Sequence, residues 1–293
     1  MENIKIYNKN IKLRTHYCSL NNMKPSKIEE QYMNLYVRFK GCNARCSFCE
    51  YYNNASDFNI KKFEKILKYL KKKIRIRKLN FTGGEPTMNF EKFKEVYDIS
   101  MSILSDSVSE VTINTNGINL EKLMDNVNEH DIISLSRHHY NNEKNNEIFK
   151  TNIITNEEII KLQSKRNRKT LSITCNLSNG YIDNKDDIYK FLENADKLGV
   201  NTVGFVTLMP INDYCVNNYI DFTKIIKDSD RIMKIKEWKN KDTCICHNFL
   251  YITNNGNVIS VYNKNTYKPN DNYPLLVFDG ENLLDGFNGK KIK

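Results

Sequence analysis

Three cysteines, Cys42, Cys46 and Cys49, stand in a C-x3-C-x2-C spacing just after a strand-like run, Tyr32 to Phe39. Thiolates are soft metal ligands, and a loop this short can wrap three of them around a single metal centre. The stretch lacks a fourth cysteine close by. Closed structural sites use four protein ligands, whether they hold zinc or a cubane cluster. The spacing therefore leaves two readings. One is a zinc knuckle that borrows a distant fourth ligand; the other is a four-iron cluster with one iron open to a substrate or cofactor. A second feature is Gly83-Gly84-Glu85-Pro86, behind a short strand from Lys78 to Phe81. Two glycines there let the backbone approach a ligand closely, although an ordinary turn would use them too.

These two stretches resemble the signature of the radical S-adenosylmethionine (radical SAM) superfamily. Its usual cysteine motif is C-x3-C-x-aromatic-C, with Phe48 supplying the aromatic, and its GGEP motif is matched letter for letter. The resemblance implies a [4Fe-4S] cluster on Cys42, Cys46 and Cys49, with SAM chelating the open iron through its amino and carboxylate groups. It also implies that Gly83 and Gly84 meet the methionine amino group of SAM and that Glu85 helps place it. Thr115-Asn116-Gly117 resembles the family's TNG, which sets Thr115 beside the ribose or methionyl part of SAM; Asn-Gly is equally a favoured turn pair. Ser134-Leu135-Ser136 resembles a segment usually written Ser-Leu-Asp, whose first serine touches the SAM carboxylate. The chain departs from it at Ser136.

Arg137 follows, where a guanidinium could grip a carboxylate of SAM or substrate bidentately. His138, His139 and Tyr140 come next. Paired imidazoles suit proton transfer or a polar substrate, and the alternative is that one packs under a loop while the other is solvated. Arg137, His138 and His139 are thus the candidate catalytic group, and Asn176 is a further candidate near the adenosine.

The elements that must position these residues alternate in type. Helical spacing runs from Phe58 to Ile74 and again behind Asn89, while strands are expected at 111–114, 132–136, 171–176 and 202–208. Helices are expected at 156–163, around Ile188 to Ala195, and near 221–227. Such alternation argues for βαβ units around a parallel sheet. It fits the partial (β/α)6 TIM-type barrel that the resemblance implies, and every polar motif falls at a strand's C-terminal end, where such barrels collect function. The expected organisation is an N-terminal strand-like extension over 1–30, the barrel over 31–230, and an extension over 231–293 that carries a β-hairpin and covers the barrel. Cys244-Ile245-Cys246-His247 and the hairpin behind it loosely resemble the SPASM and twitch extensions of peptide-modifying relatives. The cysteine expected after the second hairpin strand is replaced by Ser260-Val261-Tyr262, and the downstream cysteine cluster is absent. Cys175, Cys215, Cys244 and Cys246 are candidate ligands of a second cluster or free thiols.

A chain of 293 residues can bury a sizeable core. It has no run of about 18 apolar residues to span a membrane, and its first ten residues lack a signal-peptide core. Eight cysteines, three of them clustered, do not form a secreted disulfide pattern, so a reduced cytoplasmic setting is expected. The net charge of +10 reads as a solvated lysine-rich surface or as a field that steers an acidic partner. A flavodoxin- or ferredoxin-type reductant is the partner expected, and no basic-aromatic interleaving favours nucleic acid. The expected activity is reductive cleavage of SAM followed by hydrogen abstraction from a peptide or amino-acid side chain. A nucleotide or other small metabolite is the alternative substrate. A non-catalytic, metal-stapled nucleotide- or nucleic-acid-binding protein is the alternative of a different class.

Overall fold

A computed structural model describes residues 3–7, 9–12, 14–16, 27–50, 58–168, 170–226, 231–239, 247–263, 275–287 and 289–293. Six strands run through it in sequence order: β1 (Lys27–Phe39), β2 (Arg75–Gly83), β3 (Glu110–Thr115), β4 (Ile132–Ser136), β5 (Leu171–Leu177) and β6 (Thr202–Thr207). Each pairs with the next in parallel, forming the wall of the expected partial barrel. Between them lie α1 (Ile60–Lys73), α2 (Phe90–Leu104), α3 (Leu120–Asn126), α4 (Asn142–Phe149), α5 (Asn156–Arg166) and α6 (Lys185–Lys197). After β6 come two short turns of helix, α7 (Asp213–Asn217) and α8 (Phe222–Ile225).

Asparagines start many of these helices. Asn59, Asn89, Asn141 and Asn184 each accept a backbone N–H of the first turn, and Thr155 with Glu158 forms a capping box on α5. Helix α1 then buries Phe63, Ile66, Leu67 and Leu70 on one face. Helix α4, whose sequence is dominated by polar residues, is absent from the periodicity reading.

The C-terminal extension does more than form a hairpin. Strands β7 (Ile232–Lys239), β8 (His247–Thr253) and β9 (Val258–Asn263) make an antiparallel meander, and β9 also lies parallel to β6. Strand β10 (Leu275–Phe278) lies parallel to β1 on the other edge, and β11 (Leu283–Leu284) pairs back onto β10. The parallel run is therefore β10-β1-β2-β3-β4-β5-β6-β9. A six-stranded sheet alone would leave unpaired N–H and C=O rows at β1 and β6, and the extension closes both. At the N-terminus, strands Asn3–Ile6 and Lys9–Lys12 pair with each other, and Arg14–His16 pairs with the start of β1. Cys244 and Cys246 lie outside the described residues.

The wall has two faces of opposite character. On the helix side, Leu35, Val37, Leu79, Phe81, Ile113 and Phe205 are fully buried in one apolar core. The alternate positions, which turn to the inside of the curved sheet, are largely polar. Asn114 donates to Asn80 at 2.7 Å, the hydroxyls of Ser134 and Thr174 meet at 2.7 Å, and Lys78 pairs with Glu110. Purely parallel strands usually read as continuous apolar runs because both faces are dry. This alternation marks an interior built to hold something polar.

Phe93 of α2 is fully buried against Phe39, Phe81, Phe90 and Tyr97. Phe93→Ala removes this aromatic keystone and should lower the unfolding free energy by about 3–5 kcal/mol in a denaturant titration. A loss under about 1 kcal/mol would show that the helix is not clamped to the wall through this ring.

Candidate active site

The cysteine loop hangs from the end of β1 and is held against the end of β2 by backbone alone. Gly84 N–H donates to the Phe39 carbonyl and Glu85 N–H to the Gly41 carbonyl, both at 2.8 Å. The approach is so close that a Cβ on Gly84 would sit 1.9 Å from the Gly41 oxygen, and one on Gly83 would sit 2.2 Å from the Phe39 oxygen. Gly83 also takes φ +116°, which disfavours any side chain. In this structure the two glycines admit the cysteine loop itself.

Glu85 ties a third strand end to the same place. Its Oε1 accepts from the Thr87 N–H at 2.9 Å, the Thr87 hydroxyl at 2.6 Å and the Thr115 hydroxyl at 2.8 Å, while Oε2 accepts from the Asn116 N–H at 2.6 Å. Burial raises its pKa above the ordinary carboxylate range, and the four donors oppose that shift. Asn116 then reaches into the cysteine loop: its side-chain N–H donates to Asn43 Oδ1 at 2.7 Å and points to Cys42 Sγ at 3.8 Å. Ala44 N–H also donates to that sulfur, at 3.3 Å. Cys42, Cys46, Phe48 and Cys49 pack with Ala44, Phe149 and Ile153 in a small apolar cluster. Burial, then Cys49 and Cys42, push the Cys46 thiol up to about 12, and burial also raises Cys42.

The donor set fits an iron–sulfur group. It is three thiols in a mostly apolar shell with N–H donors on one sulfur, and a bound cation would reverse the burial effect by favouring thiolates. Among the described residues, no three His, Cys, Asp or Glu side chains converge tightly enough to hold a single metal ion.

The residues after β4 depart from the sequence reading. Arg137 is 1% exposed. Its two Nη atoms donate to the Ile154 carbonyl and to Asn142 and Asn156 Oδ1, at 2.9 and 2.6 Å for the two asparagines, while its buried Nε has no hydrogen-bond partner among the described residues. The fork that suited a carboxylate instead staples the loop before α4 to the start of α5, and burial lowers its pKa to about 10. His138 Nδ1 accepts the Asn176 N–H at 3.0 Å, and the ring stacks on Phe149 and meets Phe48 edge-on. Burial, then Arg137, lowers its pKa to about 3, so the imidazole is neutral with its proton on Nε2. His139 Nδ1 accepts the Asn141 N–H at 3.0 Å and its ring lies on Tyr140, whose hydroxyl donates to Asp187. Burial lowers the pKa of His139 as well. Of the three, His138 alone is brought against the cysteine loop, through Phe48.

Thr115 and Ser134 are likewise committed within the protein, to Glu85 and to Thr174. Cys175 lies buried with its thiol directed at the carbonyls of His138 and Asn176. Cys215 on α7 sits nearer: its thiol donates to the Phe48 carbonyl, and Asn212 donates to the Ser47 carbonyl. The residue that sequence reasoning missed is Asn145. It is fully buried, its Oδ1 accepts the N–H groups of both His138 and His139, and its Nδ2 donates to the carbonyls of His139 and Asn141.

Comparison with known proteins agrees with this geometry. The sequence model described as "Radical SAM superfamily" matches residues 36–223, well over half of the chain. Curated proteins give no match. The solved structure of Streptococcus suis SuiB aligns at 17% identity with TM-score 0.49, over 62% of this chain and 41% of SuiB. The anSMEcpe structure with bound AdoMet aligns at 16% identity with TM-score 0.47, over 62% of this chain and 55% of the other. A radical SAM methyltransferase from Sphaerobacter thermophilus aligns at 14% identity with TM-score 0.50, over 67% and 60%. The chain thus spans less than two thirds of each, and at these identities the methyltransferase likeness speaks to fold alone.

Gly84→Ala should displace the cysteine loop, because the Gly41 carbonyl that it meets is backbone and cannot rotate away. Anaerobically reconstituted variant is expected to hold less than half of the wild-type iron and sulfide while its far-ultraviolet circular dichroism stays native. Full iron content in a folded Gly84→Ala variant would show that the loop does not depend on this contact.

Proposed function

The chain belongs to the radical SAM superfamily, and we propose that it removes a hydrogen atom from a C–H bond of a peptide or amino-acid side chain held inside its barrel. When bound, a [4Fe-4S] cluster and SAM supply one-electron reductive cleavage and a carbon radical able to take that hydrogen. Cys42, Cys46 and Cys49 would hold the cluster as thiolates, with Ala44 N–H and Asn116 beside the Cys42 sulfur moderating its charge. Phe48, Phe149 and the neutral ring of His138 close the apolar side of the loop and keep water from it. Glu85 acts by position: it locks the ends of β2 and β3 under the loop.

The observation that carries the substrate reading is the polar inner face below the cysteine loop. Asn80, Asn114, Ser134 and Thr174 both donate and accept, which suits amide and hydroxyl groups of a peptide-like substrate. A nucleotide would call for uncompensated positive charge toward its phosphates. The inner-face Lys78 is neutralised by Glu110, and Arg38 by Asp279 at 3.8 Å. An acidic flavodoxin- or ferredoxin-type protein is the proposed reductant, met by exposed Arg45 beside the cysteine loop and by the overall positive charge.

Reconstituted protein, reduced with dithionite in the presence of SAM, should release 5′-deoxyadenosine, and the Cys42→Ala/Cys46→Ala/Cys49→Ala variant should release none above background. Equal release from the two would overturn the assignment of the cysteines, and no release from iron-replete wild type would overturn the activity.

A further inference from the structure

Below the polar girdle, the inner face ends in a charged pair that the SAM chemistry does not use. Lys78 of β2 and Glu110 of β3 are register partners and form an ion pair. Both sit mid-sheet, with strands on either side, yet their side chains keep 29% and 15% of their surface. Tyr36 of β1 and Tyr262 of β9 come from strands far apart in the parallel run, and both lie within electrostatic reach of Lys78. Four residues from four strands thus converge on one spot.

The spot has hydrogen-bonding capacity to spare. Glu110 Oε1 takes both Lys78 and the Thr112 hydroxyl, the latter at 3.4 Å. Among the described residues this leaves the other carboxylate oxygen and two ammonium hydrogens of Lys78 without a protein partner. Asn34, the register partner of Lys78 on β1, is 7% exposed, and its Oδ1 has no hydrogen-bond partner. Ser260, one pleat before Tyr262 on the same face of β9, is 2% exposed and its hydroxyl is also unpaired. Buried polar atoms are rarely left unpaired in native proteins, and the exceptions call for a ligand or water that completes the bond.

The sum of charges selects the ligand. A net anion would gain from Lys78 and be opposed by Glu110 beside it, and a net cation would meet the reverse. An uncharged group that carries an acceptor next to a donor satisfies both at once. A carboxamide does so: its oxygen takes a Lys78 hydrogen, and its N–H groups reach the free Glu110 oxygen and Asn34 Oδ1. We infer that the floor of the barrel is a recognition pocket for the carboxamide tip of a glutamine- or asparagine-like substrate side chain, read by Lys78, Glu110 and Asn34. This deepens the proposed function and rests on its premise that the substrate enters the barrel.

The test uses full-length, iron-replete enzyme and three probes of similar shape: N-acetyl-L-glutamine methylamide, its glutamate counterpart and its leucine counterpart. Equilibrium dialysis should show the glutamine probe binding about tenfold or more tighter than either of the others. Asn34→Leu preserves volume and removes the unpaired oxygen, so its thermal midpoint should hold or rise while most of the preference disappears. The Lys78→Met/Glu110→Gln variant, which removes both charges together, should lose the preference too. Equal binding of the three probes to wild type, tighter binding of the glutamate probe, or full preference in either variant would overturn the inference. Release of 5′-deoxyadenosine by the same wild-type preparation separates the two levels. Release without probe preference sinks the floor assignment alone, and preference without release sinks the proposed activity alone.

Discussion

A backbone carbonyl and the Cα of a glycine, pressed together, hold the cysteine loop in place. Gly84 lies so near the Gly41 oxygen that a methyl group there would be 1.9 Å from it. From this contact the rest of the site is built outward. Glu85, the next residue, sends its carboxylate to Thr87, Thr115 and Asn116, and Asn116 returns to Asn43 and Cys42. The ends of β1, β2 and β3 therefore form one unit with the cysteine loop. Loops are the mobile part of most proteins, and a site on a loop is only as sharp as its supports. Here the support is main chain and a buried carboxylate, neither of which has rotamers to spare.

Around that unit the chain places neutral or neutralised polar groups. His138 is a buried, uncharged imidazole whose tautomer is set by the Asn176 N–H, and the nearby Arg137 gives both of its Nη atoms to a carbonyl and two asparagines. An imidazolium beside that guanidinium would cost both burial and like-charge repulsion, and both causes lower the pKa of His138. The same restraint holds inside the barrel, where Lys78 is answered by Glu110. Reactive chemistry in such an enclosure depends on orienting neutral dipoles and excluding water more than on free charge.

Much of this was legible in the sequence, for definable reasons. Cys42, Cys46, Cys49 and the GGEP stretch are residue types whose chemistry and backbone freedom few others share, and they stand at strand ends. Strand β4 was read at its true bounds, 132–136. Other parts were hidden by composition. In an asparagine- and lysine-rich chain, the run Asn142 to Phe149 reads as solvated surface, so neither helix α4 nor its buried Asn145 stood out. Arg137 read as a ligand-gripping cation because its partners, Asn142, Ile154 and Asn156, are ordinary residues 5 to 19 positions away. The parallel pairing of β9 with β6 and of β10 with β1 joins distant stretches, which no local pattern encodes. The polar inner face did leave a trace, since Asn34 and Tyr36, Lys78 and Asn80, and Thr112 and Asn114 alternate with apolar residues.

The central claim is that the loop presents three thiolates to a cluster and leaves one iron for SAM. Low-temperature electron paramagnetic resonance of the reduced, reconstituted protein tests it most directly. A reduced [4Fe-4S] signal whose g values shift when SAM is added is the predicted result. A cubane signal that is identical with and without saturating SAM would contradict the account, because it would mean that no iron is open to it.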